Sequence, residues 1–221
     1  MYTFYMDLKS PETSLPQNTT LLTKSITESL RTAREVTVRA DNIGAEKWTE
    51  MLAGTQTDGK ERGLIVFRSP LSNSKFSTSK IVIGEKTHVT PQYSDIGFKF
   101  LHSVAAKIHT HAKSPEVEHL KTLPPGDTDL QLFFADNYSA MVSIDHGGAH
   151  LLVRTEEPIT TELPPKDIIA RTISEVAARN GLVEDVQKRL NGILNQYGIS
   201  YFYTENLTPS EDNTITFKRP Q

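Results

Sequence analysis

The stretch Ile108-His109-Thr110-His111, followed by Pro124-Pro125-Gly126-Asp127-Thr128-Asp129-Leu130, decides how the chain is read. Side chains of a strand alternate between its two faces, so His109 and His111 share one face. The residues before them, Val104, Ala105, Ala106 and Ile108, suit a core strand. The histidines therefore stand at its C-terminal end. Asp127 or Asp129 then opens an apolar stretch, Leu130-Gln131-Leu132-Phe133-Phe134, which predicts a helix. Two imidazoles and one carboxylate are three legs of a tetrahedral metal site whose fourth position stays open for water.

Working outward, Gly63-Leu64-Ile65-Val66-Phe67 predicts a buried strand, and Lys80 to Ile83 another. Tyr138 to Ile144 and His150 to Arg154 predict a hairpin around Asp145-His146-Gly147-Gly148-Ala149. Ile168, Ile169, Ile173, Val176 and Ala177 have helical spacing, as do Val183, Val186, Leu190, Ile193, Leu194 and Tyr197. Ile199 to Tyr203 and Thr214 to Phe217 close the chain as strands that can pair. Residues 95–102 fit either helix or strand, and 69–79 read as a polar connection. Toward the N-terminus, residues 8–20 form a loose lead-in, and Leu22, Ile26, Leu30 and Ala33 mark one helix face. Asp41 can cap a second short helix through Trp48, Met51 and Leu52, ending at Gly54. The expected class is α/β, a mixed β-sheet flanked by helices. A helical N-terminal extension is expected over 1–55 and the main domain over 56–221.

Composition removes several function classes. A net charge of -3 gives no global attraction to nucleic acid or to an anionic membrane. There is no basic run with interleaved aromatics and no Gly-rich phosphate loop. The absence of cysteine excludes disulfides, iron–sulfur clusters and thiolate metal sites. It also excludes the Cys-x-x-Cys of the known zinc deaminases. No run approaches 18 apolar residues, and the start, Met1-Tyr2-Thr3-Phe4-Tyr5-Met6-Asp7, lacks the basic region of a secretory signal. The expected compartment is cytoplasmic.

A further acid, Glu61, immediately precedes the strand at Gly63, in Lys60-Glu61-Arg62-Gly63. A carboxylate at a strand mouth can reach across a sheet toward a metal site. Glu before one strand, His-x-His at the end of another and Asp at the start of the next helix resembles the pattern of the JAB/MPN+ (JAMM) metallopeptidases. The resemblance covers about residues 58–155, with Glu-x-Gly and His-Thr-His closest to bacterial JAB-like domains. It implies a cytidine deaminase-like JAB/MPN architecture. It further implies that His109, His111 and Asp129 hold zinc and that Glu61 is the catalytic base. The implied reaction is attack of zinc-held water on a peptide or isopeptide bond, commonly after the C-terminal Gly of a ubiquitin-like protein.

Three positions depart from the family pattern. The gap between His-x-His and Asp is longer, the residue after the second His is Ala112, and the family's serine falls on Gly126. These departures motivate a second reading, a non-catalytic MPN-like binding or scaffold module. A third is a toxin or effector domain of the same fold. His102 reads as structural and His119 as a loop residue. His146 and His150 fall in the hairpin with no evident partner.

Overall fold

A computed structural model of the chain describes residues 6–7, 30–68, 76–86, 89, 103–112, 122, 124–135, 139–155 and 183–220. Among these residues ten strands form one mixed sheet. They are β1 (Met6–Asp7), β2 (Glu35–Arg39), β3 (Arg62–Arg68), β4 (Phe76–Thr78), β5 (Val82–Ile83), β6 (Ser103–Thr110), β7 (Ala140–Asp145), β8 (Gly148–Arg154), β9 (Ile199–Thr204) and β10 (Thr214–Lys218). Their spatial order is β1-β2-β10-β9-β8-β7-β6-β3-β4, with β5 also paired to β3. Every pairing is antiparallel except β6 with β7.

That one parallel pair positions the site. Parallel neighbours cannot be joined by a tight turn and need a crossover. The connection from β6 to β7 includes a helix, α2 (Asp127–Ala135); α1 (Trp48–Asp58) precedes it in the chain and α3 (Val183–Gln196) follows. A helix that follows a strand in such a crossover begins at that strand's C-terminal end. The first turn of α2 is thereby brought to the end of β6, where the histidines stand.

The sheet is covered on both faces, which is why its central strands read as nearly continuous apolar runs. All six residues of β7 are buried. Trp48 and Met51 of α1 pack with Val36, Val38, Leu64, Ile108, Val142, Leu151, Phe202 and Phe217 on one face. On the other, Leu130 and Phe133 of α2 and Val186, Leu190 and Leu194 of α3 cover Met141, Leu152, Ile199 and Tyr201. Each of these large side chains contributes about 1.5–3 kcal/mol by leaving water. The alternation Met141/Val142 and Leu151/Leu152 between the two clusters is the period-2 pattern of a strand.

The strands at 62–68, 103–110, 140–145 and 148–154, and helices α2 and α3, lie where the sequence predicts them. The N-terminal region needs correction. Residues 35–39, expected within a helical stretch, are strand β2, paired to β10 from Thr214↔Arg39 to Lys218↔Glu35. Val36 and Val38 are buried while Arg39 is exposed, so long-range pairing outweighs local propensity here. Asp41 caps no α-helix; it lies in a 3-10 turn and pairs with Arg39 at 2.9 Å. Helix α1 continues past Gly54 to Asp58, where Gly59 takes the left-handed conformation (φ 69°). Within the expected connection at 69–79, residues 76–78 form β4. The helix expected over 168–177, residues 95–102, His102 and His119 lie outside the described residues.

Candidate metal centre

Strand pairing places three of the four expected site residues in one line. β3 and β6 are antiparallel with Gly63 opposite His109. Continuing that register sets Glu61 opposite His111, on the face that carries both histidines. Thr110, between them, faces the other way. Its hydroxyl bonds Thr55 of α1 at 2.6 Å and receives the Arg62 N–H at 2.9 Å. The two strand ends are thus stitched together behind the site. The His111 N–H donates to Ile144 O at 2.8 Å, carrying the β6–β7 ladder one residue beyond Thr110. Glu61 exchanges backbone hydrogen bonds with the segment after β5: its N–H donates to Glu85 O and its carbonyl accepts from Gly84, each at 2.8 Å.

Asp129 arrives from α2 for a local reason. The Gly126 N–H donates to its Oδ2 at 3.0 Å, and the Leu130 N–H donates to Gly126 O at 3.1 Å. This is one half of a capping box, in which the third helical residue reaches back to the N–H before the helix. The carboxylate then lies at the positive end of α2, where a negative charge is favoured. Its Oδ1 is 3.2 Å from His109 Nε2 and its Oδ2 is 2.9 Å from His111 Nε2. The two Nε2 atoms are 3.0 Å apart. Of the two aspartates the sequence left open, it is Asp129 whose carboxylate meets both imidazoles. The side chain of Asp127 lies outside the described residues.

These three side chains form a group that could hold a metal ion, with the ligand atoms all within 4.8 Å of one another. The edges of a tetrahedron with metal–nitrogen bonds of roughly 2.0–2.1 Å measure roughly 3.3–3.4 Å. The Nε2–Nε2 separation of 3.0 Å lies slightly inside that figure, and Asp129 faces the imidazoles with different oxygens, Oδ1 toward His109 at 3.2 Å and Oδ2 toward His111 at 2.9 Å.

The electrostatics follow from burial and proximity. Burial pushes the Glu61 carboxyl up to about 7; His111 pulls it down and Asp129 adds to the rise. Burial would raise Asp129 as well, yet the two imidazoles hold it well below the usual carboxylate range. Burial also lowers His109, only partly opposed by Asp129. It would lower His111 too, but Asp129, Glu61 and Asp145 raise that imidazole to about 9.

A second polar cluster on the same sheet face was not expected from the sequence. His150 is fully buried and has partners after all: Nδ1 is 2.7 Å from Tyr201 OH and Nε2 is 2.9 Å from Thr122 Oγ1. Thr122 in turn bonds both carboxylate oxygens of Asp145, at 3.0 and 2.7 Å. The signal was the hairpin register. A two-residue turn at 146–147 sets His150 opposite Ser143, which stands opposite His109. The polar row on this face therefore continues inward from the histidine pair.

Comparison with models of protein families, with characterised proteins and with solved structures finds no match.

Proposed function

We propose that the chain is a zinc-dependent hydrolase of the JAB/MPN+ type, cleaving a peptide or isopeptide bond, with the C-terminal tail of a ubiquitin-like protein as the expected substrate class. The observation that carries the reading is the convergence of His109, His111 and Asp129, with Glu61 buried beside them on the same face. Two imidazoles and a carboxylate suit zinc among the common metals and leave one position of a tetrahedron open. A zinc ion bound there supplies Lewis acidity, polarising a carbonyl oxygen and making nearby water more acidic.

Glu61 then does the proton work. Burial raises its carboxyl to about 7 in the metal-free protein, and a bound dication would pull it back toward the carboxylate, the form that accepts a proton. It takes a proton from the attacking water and hands it to the leaving amine. Asp129 and the histidines stay fixed, because the capping bond from Gly126 and the Thr55–Thr110 contact hold the elements that carry them.

Metal analysis of the purified chain tests the proposal. One equivalent of zinc is expected in the wild type and none in His111→Ala. Equal metal content in the two proteins would sink it. A second reading, a metal-binding module without catalysis, draws on Gly126, which offers no hydroxyl where the family has a serine. Glu61→Gln separates the two: the hydrolase loses cleavage and keeps its zinc, whereas the binding module is unaffected.

A further inference from the structure

Tyr201, His150, Thr122 and Asp145 meet in one buried cluster, which Tyr203 and Gln187 also touch. Asp145 is fully buried and also accepts the N–H groups of Gly147 and Gly148, at 2.6 and 3.0 Å. Its carboxylate can only accept, so the single hydroxyl proton of Thr122 goes to Asp145. Thr122 Oγ1 must then accept from His150 Nε2–H. Burial keeps His150 neutral, so its Nδ1 carries no proton and accepts from Tyr201 O–H. The result is a one-way chain of three hydrogen bonds, Tyr201 to His150 to Thr122 to Asp145, ending on a buried anion.

What this chain holds in place is the approach to α2. Thr122 is four residues before Gly126, and Pro124 and Pro125 lie between them, both buried. Proline rings fix φ at 124 and 125, which stiffens the backbone that enters Gly126. Gly126 in turn donates to Asp129 Oδ2. At its other end the chain stands on β7, whose Ile144, next to Asp145, accepts the His111 N–H.

From this geometry we infer that Tyr201, His150, Thr122 and Asp145 are positioning residues that place the Asp129 carboxylate against His109 and His111. They touch no ligand atom themselves and act through the approach to Gly126, whose N–H donates to Asp129 Oδ2. The inference rests on the metal-binding reading of the site. It assigns a role to four residues, drawn from β7, β8, β9 and the segment before α2, that the zinc motif does not contain.

The test measures zinc affinity of the full chain by competition with a chromophoric chelator, with folding of the same samples checked by circular dichroism. Thr122→Val keeps the shape and removes the hydroxyl. It should weaken zinc binding by about 10–100-fold, the usual cost of losing a group that orients a metal ligand. Thr122→Ser restores the hydroxyl and should bind within about threefold of wild type on the same basis. Tyr201→Phe removes only the far donor and should give an intermediate loss. A purely structural role would lower stability and leave the affinity of the folded protein unchanged. Folded Thr122→Val that binds zinc as the wild type does overturns the inference. If Thr122→Val does not fold, Tyr201→Phe decides, and unchanged affinity there overturns it equally. A wild type that binds no zinc removes the metal reading, and the inference with it; a wild type that binds zinc beside unaffected variants removes the inference alone.

Discussion

Two histidine–aspartate clusters share one face of this sheet, and their hydrogen bonding differs in kind. Around His150 donors meet acceptors, and the buried Asp145 carboxylate receives the Thr122 hydroxyl and two backbone N–H groups. Around His109 and His111 three ligand atoms converge on one another, and the two Nε2 atoms face each other at 3.0 Å. Such a contact can share one proton at most. The comparison teaches how to tell a structural polar cluster from a candidate metal centre when both are buried. In the first, donors and acceptors are matched pair by pair. In the second, two imidazole nitrogens and a carboxylate converge on one spot that a cation can occupy in place of the shared protons.

The sharpest way to break this comparison is a crossed pair of variants. His111→Ala should abolish metal binding and lower the stability of the metal-free protein by less than Asp145→Ala does, since His109 and the Gly126 N–H still meet Asp129. Asp145→Ala should instead cost about 3 kcal/mol or more of stability, because it strands a buried hydroxyl and two N–H groups. Urea titration of the metal-free proteins reads both, and equal losses would erase the distinction. Next in size, on the hydrolase proposal, Glu61→Gln should lower peptide or isopeptide cleavage by about 10²–10⁴-fold, the usual worth of a general base, with zinc content unchanged.

A smaller effect is expected at Gly126. A Cβ built there meets only Asp129 Oδ2, at an ordinary contact distance of 3.6 Å, so a serine side chain fits. Gly126→Ser should raise cleavage, by about tenfold if its hydroxyl reaches the oxygen that gains charge in the reaction, where one such donor is worth up to about 10³-fold. An unchanged or lower rate would show that the hydroxyl does not reach that oxygen.

A further effect is in pH dependence. The folded, metal-free protein holds the Glu61 proton to about pH 7, whereas an ordinary glutamate releases it near 4.5. The stability this contributes is fully present below about 4.5 and is lost as pH rises to about 7. Glu61→Gln lacks that loss. Denaturation midpoints of the metal-free wild type and Glu61→Gln should therefore separate across this window, with the wild type falling. Parallel curves would place Glu61 in water.

Much of the site could be read without coordinates, because its elements follow short-range rules. Period-2 alternation puts His109 and His111 on one face, and an acid at the start of an apolar helix follows from capping chemistry. The N-terminal strand could not be read this way. Glu35-Val36-Thr37-Val38-Arg39 pairs with residues near the other end of the chain, from Thr214 to Lys218, and no local window contains both. The pairing of Thr55 with Thr110 was equally invisible, since each residue alone is an unremarkable threonine.

By itself the sequence determined the donor types, their spacing along strand and helix, and the exclusion of every cysteine-based chemistry. These depend on residue identity and on the two short periods of secondary structure. The tertiary structure alone decided that Asp129 meets the imidazoles, that Glu61 comes within electrostatic reach of His111 and Asp129, and that His150 belongs to a buried network with Thr122 and Asp145. Those are relations between strands and helices far apart in the chain. Their register is set by burial on both faces of the sheet, where a shift of one residue would turn every side chain to the wrong side.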